Sequence, residues 1–191
     1  DEHGCKNIFF MGPEYSTSED ILLRSNVYKG FMQSRNQTWQ DKMLYADYTY
    51  DRAKICLKQN GITKDNLPFD SLVCCNDSLA LGCIDYLKAE GIRVPEDVKI
   101  TGFDNQIRCN FSEPALTSVD QQIEKQCYTA ASFLHEEIEN PELEKQNFYI
   151  DAETVFRNSC GCNKYSNVED ILEDRYFNMV SQLRHYHYFI Q

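Results

Sequence analysis

The 191 residues contain no apolar run long enough to cross a bilayer as a helix, so no membrane contact is expected. The first residues, DEHGCKN, have no signal-peptide core. The chain reads as beginning inside a longer protein, where a leader further upstream would not show. Basic residues are scarce: 19 Lys and Arg stand against 30 Asp and Glu, a formal net charge of −11. Grip on a phosphate backbone needs clustered Lys and Arg, so direct nucleic-acid contact is not expected of this chain. There is no glycine-rich phosphate loop, and no Ser or Cys stands at a nucleophile elbow. No His lies close in sequence to the polar residues considered below. Catalysis is therefore not expected either.

What is present describes a globular chain. Hydrophobic residues make up 42% and aromatics 13%, enough for one domain or one and a half. The nine cysteines are odd in number, and Cys56, Cys74, Cys75 and Cys83 fall inside predicted helices and strands. That usage suits reduced, buried thiols in a cytoplasmic protein rather than a disulfide framework. Cys160-Gly161-Cys162 is the close pair in a predicted loop. With no further ligand near in sequence, no metal or cofactor is assigned to it.

The chain is organised around residues 71–105, SLVCCNDSLALGCIDYLKAEGIRVPEDVKITGFDN. An apolar run at 71–75 predicts a strand, and Asn76-Asp77-Ser78 are residue types that cap a helix N-terminus. Leu79, Ala80, Cys83, Ile84 and Leu87 follow at the spacing of a helix with one buried face. Gly91 stops that helix, Pro95 lies beyond it, and 98–103 predicts a second strand ending at Asp104-Asn105. This is a βαβ unit, the signature of a parallel sheet. Its strands release Asn76-Asp77 and Asp104-Asn105 at their C-terminal ends, the edge where open parallel sheets bind ligands.

These residues resemble a known family. The stretch from Val73 to Asn105, followed by EPALTSVDQ, resembles the ligand-sensing domain of the LacI/GalR family of bacterial regulators. That type I periplasmic-binding-protein-like fold is shared with periplasmic sugar-binding proteins. The small-Asn-Asp turn, the Gly-Ile-Arg-Val-Pro-Glu-Asp-Val connection, the Gly-Phe-Asp strand end and the Leu-Thr-Ser-Val-Asp-Gln segment keep their order and spacing. The resemblance covers about residues 5–160. It implies an α/β fold: a three-layer, parallel-sheet lobe over residues 1–162, mainly the second of the family's two lobes, with the first absent.

Along the rest of the chain, 7–11 (NIFFM) predicts the strand that opens this lobe, and a helix runs from 16–18 to about 36. Leu22, Leu23, Val27, Tyr28 and Phe31 form its apolar face by spacing. The family usually carries a ligand-gripping arginine three residues before the glycine that is Gly30 here; this chain has Val27 instead. Arg24, one turn earlier, reads as a surface arginine, with substitution for the missing contact as the alternative. Residues 43–46 predict a strand and 50–60 a helix. Tyr48 falls where the family places an aromatic ring against its ligand, and a core tyrosine is the competing reading. Residues 116–119 predict a strand, followed by a helix from Asp120-Gln121 to about 140. Its apolar residues Ile123, Cys127, Ala130, Ala131, Leu134 and Ile138 would, by the resemblance, have lost their packing surface in the first lobe. Such a face implies a homodimer, a swapped partner or the missing half of the protein. Residues 148–150 and 154–156 predict a closing pair of strands. In 163–191 the seam Leu172, Tyr176, Met179, Leu183, Tyr186, Ile190 reads either as a coiled-coil linker or as a helix folding back.

The candidate ligand-binding residues are Asn76, Asp104 and Gln121, with Tyr48 and Phe103 as apolar walls. A carboxylate accepts two hydroxyls of a vicinal diol, and an amide both donates and accepts. Gln121 is included on the resemblance alone, which places it at the crossover between lobes. The implied function is sensing of a small polar metabolite such as a sugar by an intracellular transcriptional or signalling regulator. The Ser-Cys-Gly-Cys ending followed by a helix resembles sensors joined to a GGDEF diguanylate cyclase. An extracytoplasmic solute-binding protein of a sugar transporter is the alternative. Without a first lobe, weak or no ligand binding by the isolated chain is expected.

Overall fold

A computed structural model describes residues 3–143 and 147–162. The first predicted strand is β1 (Ile8–Gly12), whose IFFMG run is mostly buried because it lies inside a parallel sheet covered on both faces. It pairs with β2 (Met43–Tyr45) on one side and β3 (Ser71–Cys74) on the other, and β4 (Lys99–Thr101) completes the order β2-β1-β3-β4. All three pairings are parallel, with Phe10 opposite both Met43 and Val73. The expected α/β architecture is the observed one.

Alternation along β1 decides which helix covers which face. Phe10 points towards α1 (Glu19–Ser34), its ring stacked on Tyr28 at a centroid distance of 5.2 Å. The Tyr28 hydroxyl donates to the Ile8 carbonyl at 2.9 Å, and burial pushes this phenol up to about 12. Met11 points the other way, with its sulfur 3.5 Å from Cys83 Sγ in α3 (Asp77–Ala89). Against α3 packs α2 (Tyr50–Gln59), so closely that a Cβ on Gly82 would stand 2.2 Å from the Tyr50 carbonyl oxygen.

The central helix follows its sequence pattern. Leu79, Ala80, Cys83, Ile84 and Leu87 are all buried, each large side chain among them contributing roughly 1.5–3 kcal/mol. The helix closes at Gly91, whose φ is +72°. The Gly91 N–H donates to the Lys88 carbonyl and the Ile92 N–H to that of Leu87, a Schellman close.

Two expectations need correction. The spacing put Leu22, Leu23, Val27 and Phe31 on the buried face of α1, yet all are exposed, Leu23 and Val27 by more than 60%. The row that meets the sheet is Arg24, Tyr28 and Met32, so a cation heads the inward stripe. Residues 148–150 form no strand; instead the Phe148 ring packs on Phe133 of α4 (Ile123–Glu139) at 3.9 Å. No residue of α4 is buried, and Ile123, Leu134 and Ile138 are exposed. A second, two-stranded sheet is made by β5 (Ser118–Asp120), antiparallel to β6 (Glu153–Val155). The predicted helical tail, 163–191, lies outside the described residues.

Past β4 the chain is tied to the segment that leads into β5. Thr101 bridges to Thr117, the Gly102 N–H donates to the Thr117 carbonyl, and the Asp104 N–H to that of Val119, both at 2.9 Å. Asp104-Asn105 and Asp120-Gln121 are thereby released side by side.

Candidate ligand-binding site

Asn76 is the N-cap of α3: its Oδ1 accepts from the Leu79 N–H at 2.9 Å, satisfying one of the donors that a helix start leaves open. Its Nδ2 donates to the Tyr48 carbonyl at 3.0 Å, tying the loop after β2 to the start of α3. Tyr48 in turn shares a 2.7 Å hydrogen bond between its hydroxyl and Ser16 Oγ, and 37% of the residue is exposed. It is therefore not a core tyrosine; it stands at the mouth of the edge.

The neighbouring carboxylate has another task. Asp77 is fully buried, accepting from Ser118 Oγ at 2.5 Å and from the Gln106 N–H at 2.7 Å. Gly102 makes room for it, since a Cβ there would lie 2.2 Å from Asp77 Oδ1. Burial raises the Asp77 carboxyl above its ordinary value, with the two hydrogen bonds opposing. Asp77 thus fixes the crossover and leaves ligand contact to others.

Asp104 faces the edge. Its φ of +105° is unusual for a residue with a Cβ, and Asn105 follows at +48°. Asp104 Oδ1 accepts from Gln121 Nε2 at 2.8 Å and meets Arg24 NH1 at 3.4 Å. The carboxylate side chain keeps 30% exposure. Burial raises its pKa, and the Arg24 guanidinium pulls the other way. Asn105 is locked behind it, donating to Asp120 Oδ2 and accepting from Arg157, whose other terminal nitrogen donates to the Leu116 carbonyl.

Arg24 is the residue that sequence reading set aside. Its side chain is only 13% exposed. NH1 donates to the Cys75 carbonyl at 2.6 Å, NH2 pairs with Asp20 at 3.0 Å, and the guanidinium carbon lies 3.8 Å from the Phe103 ring centroid. It is not a surface arginine. Val27, at the position where the family carries its arginine, is 63% exposed and faces away. The signal available was the row Arg24, Tyr28, Met32 at steps of four.

One edge thus collects a stacked cation, a half-buried carboxylate, two amides and two rings. Such a set matches a polar ligand with hydroxyls for the charged groups and C–H faces for the rings.

The family model for the periplasmic binding protein-like domain matches residues 1–160. The chain belongs to that family. Among curated members it is 28% identical over 162 residues to the HTH-type transcriptional repressor PurR of Pasteurella multocida, covering 83% of this chain and 47% of that one. It is 36% identical over 120 residues to PurR of Vibrio parahaemolyticus, or 63% of this chain and 35% of the relative. The chain therefore spans about half the length, or less, of these curated relatives. Solved structures of the same fold include a LacI family transcriptional regulator from Enterococcus faecium with bound ribose (TM-score 0.71, 24% identity, 83% of this chain and 57% of that one). The transcriptional regulator CelR in complex with cellobiose is another (TM-score 0.68, 25% identity, 83% of this chain and 48% of that one). Within the described residues no helix is long and apolar enough to cross a membrane.

Proposed function

We propose that this chain is part of the small-molecule sensor of a cytoplasmic bacterial transcriptional regulator, and that it takes a sugar or similarly hydroxylated metabolite at the C-terminal edge of its parallel sheet. Asn76, Asp104, Gln121, Tyr48 and Phe103 line the site, and Arg24 joins them. The observation that carries this reading is Arg24 stacked on Phe103 and facing Asp104, a desolvated cation beside a carboxylate at the strand-end edge where open parallel sheets bind ligands. Ribose and cellobiose in two relatives of the same fold point to the same ligand class. The chain's part is recognition rather than catalysis. Ligand would bind better when a second lobe closes over this edge, shifting a two-state equilibrium that a homodimer interface reports. The exposed apolar side of α4 is the surface for that pairing or for the second lobe.

An extracytoplasmic solute-binding protein is less well supported, since the curated relatives are transcription regulators and the nine cysteines carry no disulfide. Attachment to a GGDEF cyclase rests only on the Ser-Cys-Gly-Cys ending. The test is a thermal-shift screen of sugars and nucleosides on the longest natural protein that contains this chain. A hit whose affinity collapses in Asp104→Ala supports the reading. Full affinity in that variant removes the site assignment.

A further inference from the structure

His3 and the Cys160-Gly161-Cys162 turn are separated by nearly the whole chain, yet they meet in space. His3 Nε2 lies 3.2 Å from Cys162 Sγ, and those two atoms and Cys160 Sγ all fall within 4.8 Å of one another. We propose that His3, Cys160 and Cys162 form a zinc-binding site that clasps the segment before β1 to the point where the chain leaves the sheet.

The ligand set and its spacing carry the argument. Two thiols and one imidazole are the donors that Zn²⁺ selects. A tetrahedral ion with about 2.3 Å bonds to sulfur and about 2.0–2.1 Å bonds to nitrogen holds its donors roughly 3.5–3.8 Å apart. With all three atoms within 4.8 Å of one another, shifts of about an ångström or less bring them to that separation. Placing two cysteines on one ion requires a tight turn between them, and Gly161 supplies it with a φ of +86°.

The turn is also held firmly. Ser159, fully buried, donates from Oγ to the Ile100 carbonyl at 2.7 Å and accepts from the Thr117 N–H at 2.8 Å. Arg157, also buried, donates to the Leu116 carbonyl and to Asn105 Oδ1. Anchors of this kind preorganise a site before the ion arrives. Cys160 Sγ now donates to the Arg157 carbonyl at 3.3 Å, a bond given up when the thiol ionises. His3 is exposed and Cys162 half-buried, so the ion can enter from solvent.

The step balances simply. Zn²⁺ and two thiols give a bis-thiolate zinc and release two protons to solvent, while neutral His3 donates a nitrogen lone pair. No electron changes hands. With two thiolates and a neutral imidazole the coordinated ion is electrically neutral, which removes the need for a nearby counter-charge.

The experiment uses the reduced 191-residue chain titrated with Co²⁺ and then with Zn²⁺ alone. The expected result is one equivalent of Co²⁺ giving thiolate-to-metal charge-transfer and tetrahedral d–d absorption, bleached by one equivalent of Zn²⁺. Zn²⁺ should raise the melting temperature and release protons on binding. Cys162→Ser should abolish the spectrum, and His3→Ala should weaken binding at least about tenfold. Both side chains lie at the surface, so these variants keep the fold, checked by circular dichroism. Cys127→Ser, at an exposed thiol on α4, should bind as the parent does. Absence of the spectrum at one equivalent, its survival in Cys162→Ser, or a Cys160–Cys162 disulfide that persists in mild reductant would overturn the assignment.

Discussion

Arg24 lies over the ring of Phe103, its guanidinium carbon 3.8 Å from the centroid, while NH1 donates to the Cys75 carbonyl at 2.6 Å. The two contacts fix the plane of the guanidinium and turn it towards Asp104. An arginine so held loses little further freedom when a ligand arrives, which is how a binding group contributes affinity rather than merely charge. A lysine would keep the charge but lose both the stacking and the fork geometry. Arg24→Lys and Arg24→Ala are therefore both expected to weaken binding of the screened hit by about tenfold or more, measured by calorimetry. A lysine variant with parental affinity would show that only charge is needed there.

The carboxylates give a pH dependence with a definite sign. Burial holds both Asp77 and Asp104 above the ordinary value of 3.8, so the folded protein binds their protons more tightly than the unfolded chain. Their contribution to stability is then fully present below 3.8 and is lost as pH rises through the elevated values. Relative to Asp104→Asn, the parent should gain stability as pH falls from about 7 to about 4, read as urea midpoints at each pH. Ligand affinity should move the opposite way, since protonation removes the anionic acceptor. In Arg24→Ala the Asp104 pKa should climb further, because Arg24 is its main lowering influence. A carbon-detected NMR titration reads this directly.

Asp104 also holds a backbone angle, φ +105°, that costs about 1–3 kcal/mol outside glycine. Asp104→Gly relieves that strain and the buried charge. It gives up a part-exposed ion pair worth at most about 1 kcal/mol and adds the chain entropy of a glycine. The expected balance is a gain in stability of about 1 kcal/mol with loss of ligand binding. Urea denaturation and calorimetry on the one variant check both halves. A stable protein that cannot bind is what strain kept for function predicts.

Much of this was legible in the chain itself, and what escaped has physical causes. The Asn76 cap, the Leu79 to Leu87 stripe and the Gly91 stop are local features, written within one turn of where they act. Asp104 at a strand end and Gln121 at the crossover were named from spacing and resemblance, and the fold brings them within 2.8 Å of each other. Arg24 escapes the pattern because Leu23, Val27 and Phe31 make the more apolar row, while packing turns the row with the arginine at its end towards the sheet. His3 lies 159 residues from Cys162, so no local reading joins them. Phe148 looked like a strand residue, but its ring went to Phe133 instead.

The contact between α2 and α3 offers a test of the frame that holds the site. A methyl group at Gly82 would meet the Tyr50 carbonyl oxygen at 2.2 Å, and backbone cannot swing aside as a side chain does. Gly82→Ala should cost about 1–3 kcal/mol or more by separating the helices. It should also weaken ligand binding only in proportion to the fraction unfolded, because α2 and α3 support the edge from behind. Denaturant curves and calorimetry at a temperature where the variant is folded distinguish the two effects.

The most direct test is the affinity of the protein's best sugar or nucleoside ligand for the parent and for Asp104→Ala, measured side by side by titration calorimetry on the longest natural form. The sheet-edge site predicts at least about a hundredfold loss, the scale expected when a carboxylate shared by two hydroxyls is removed. Equal affinity in the two proteins would mean that the ligand binds elsewhere.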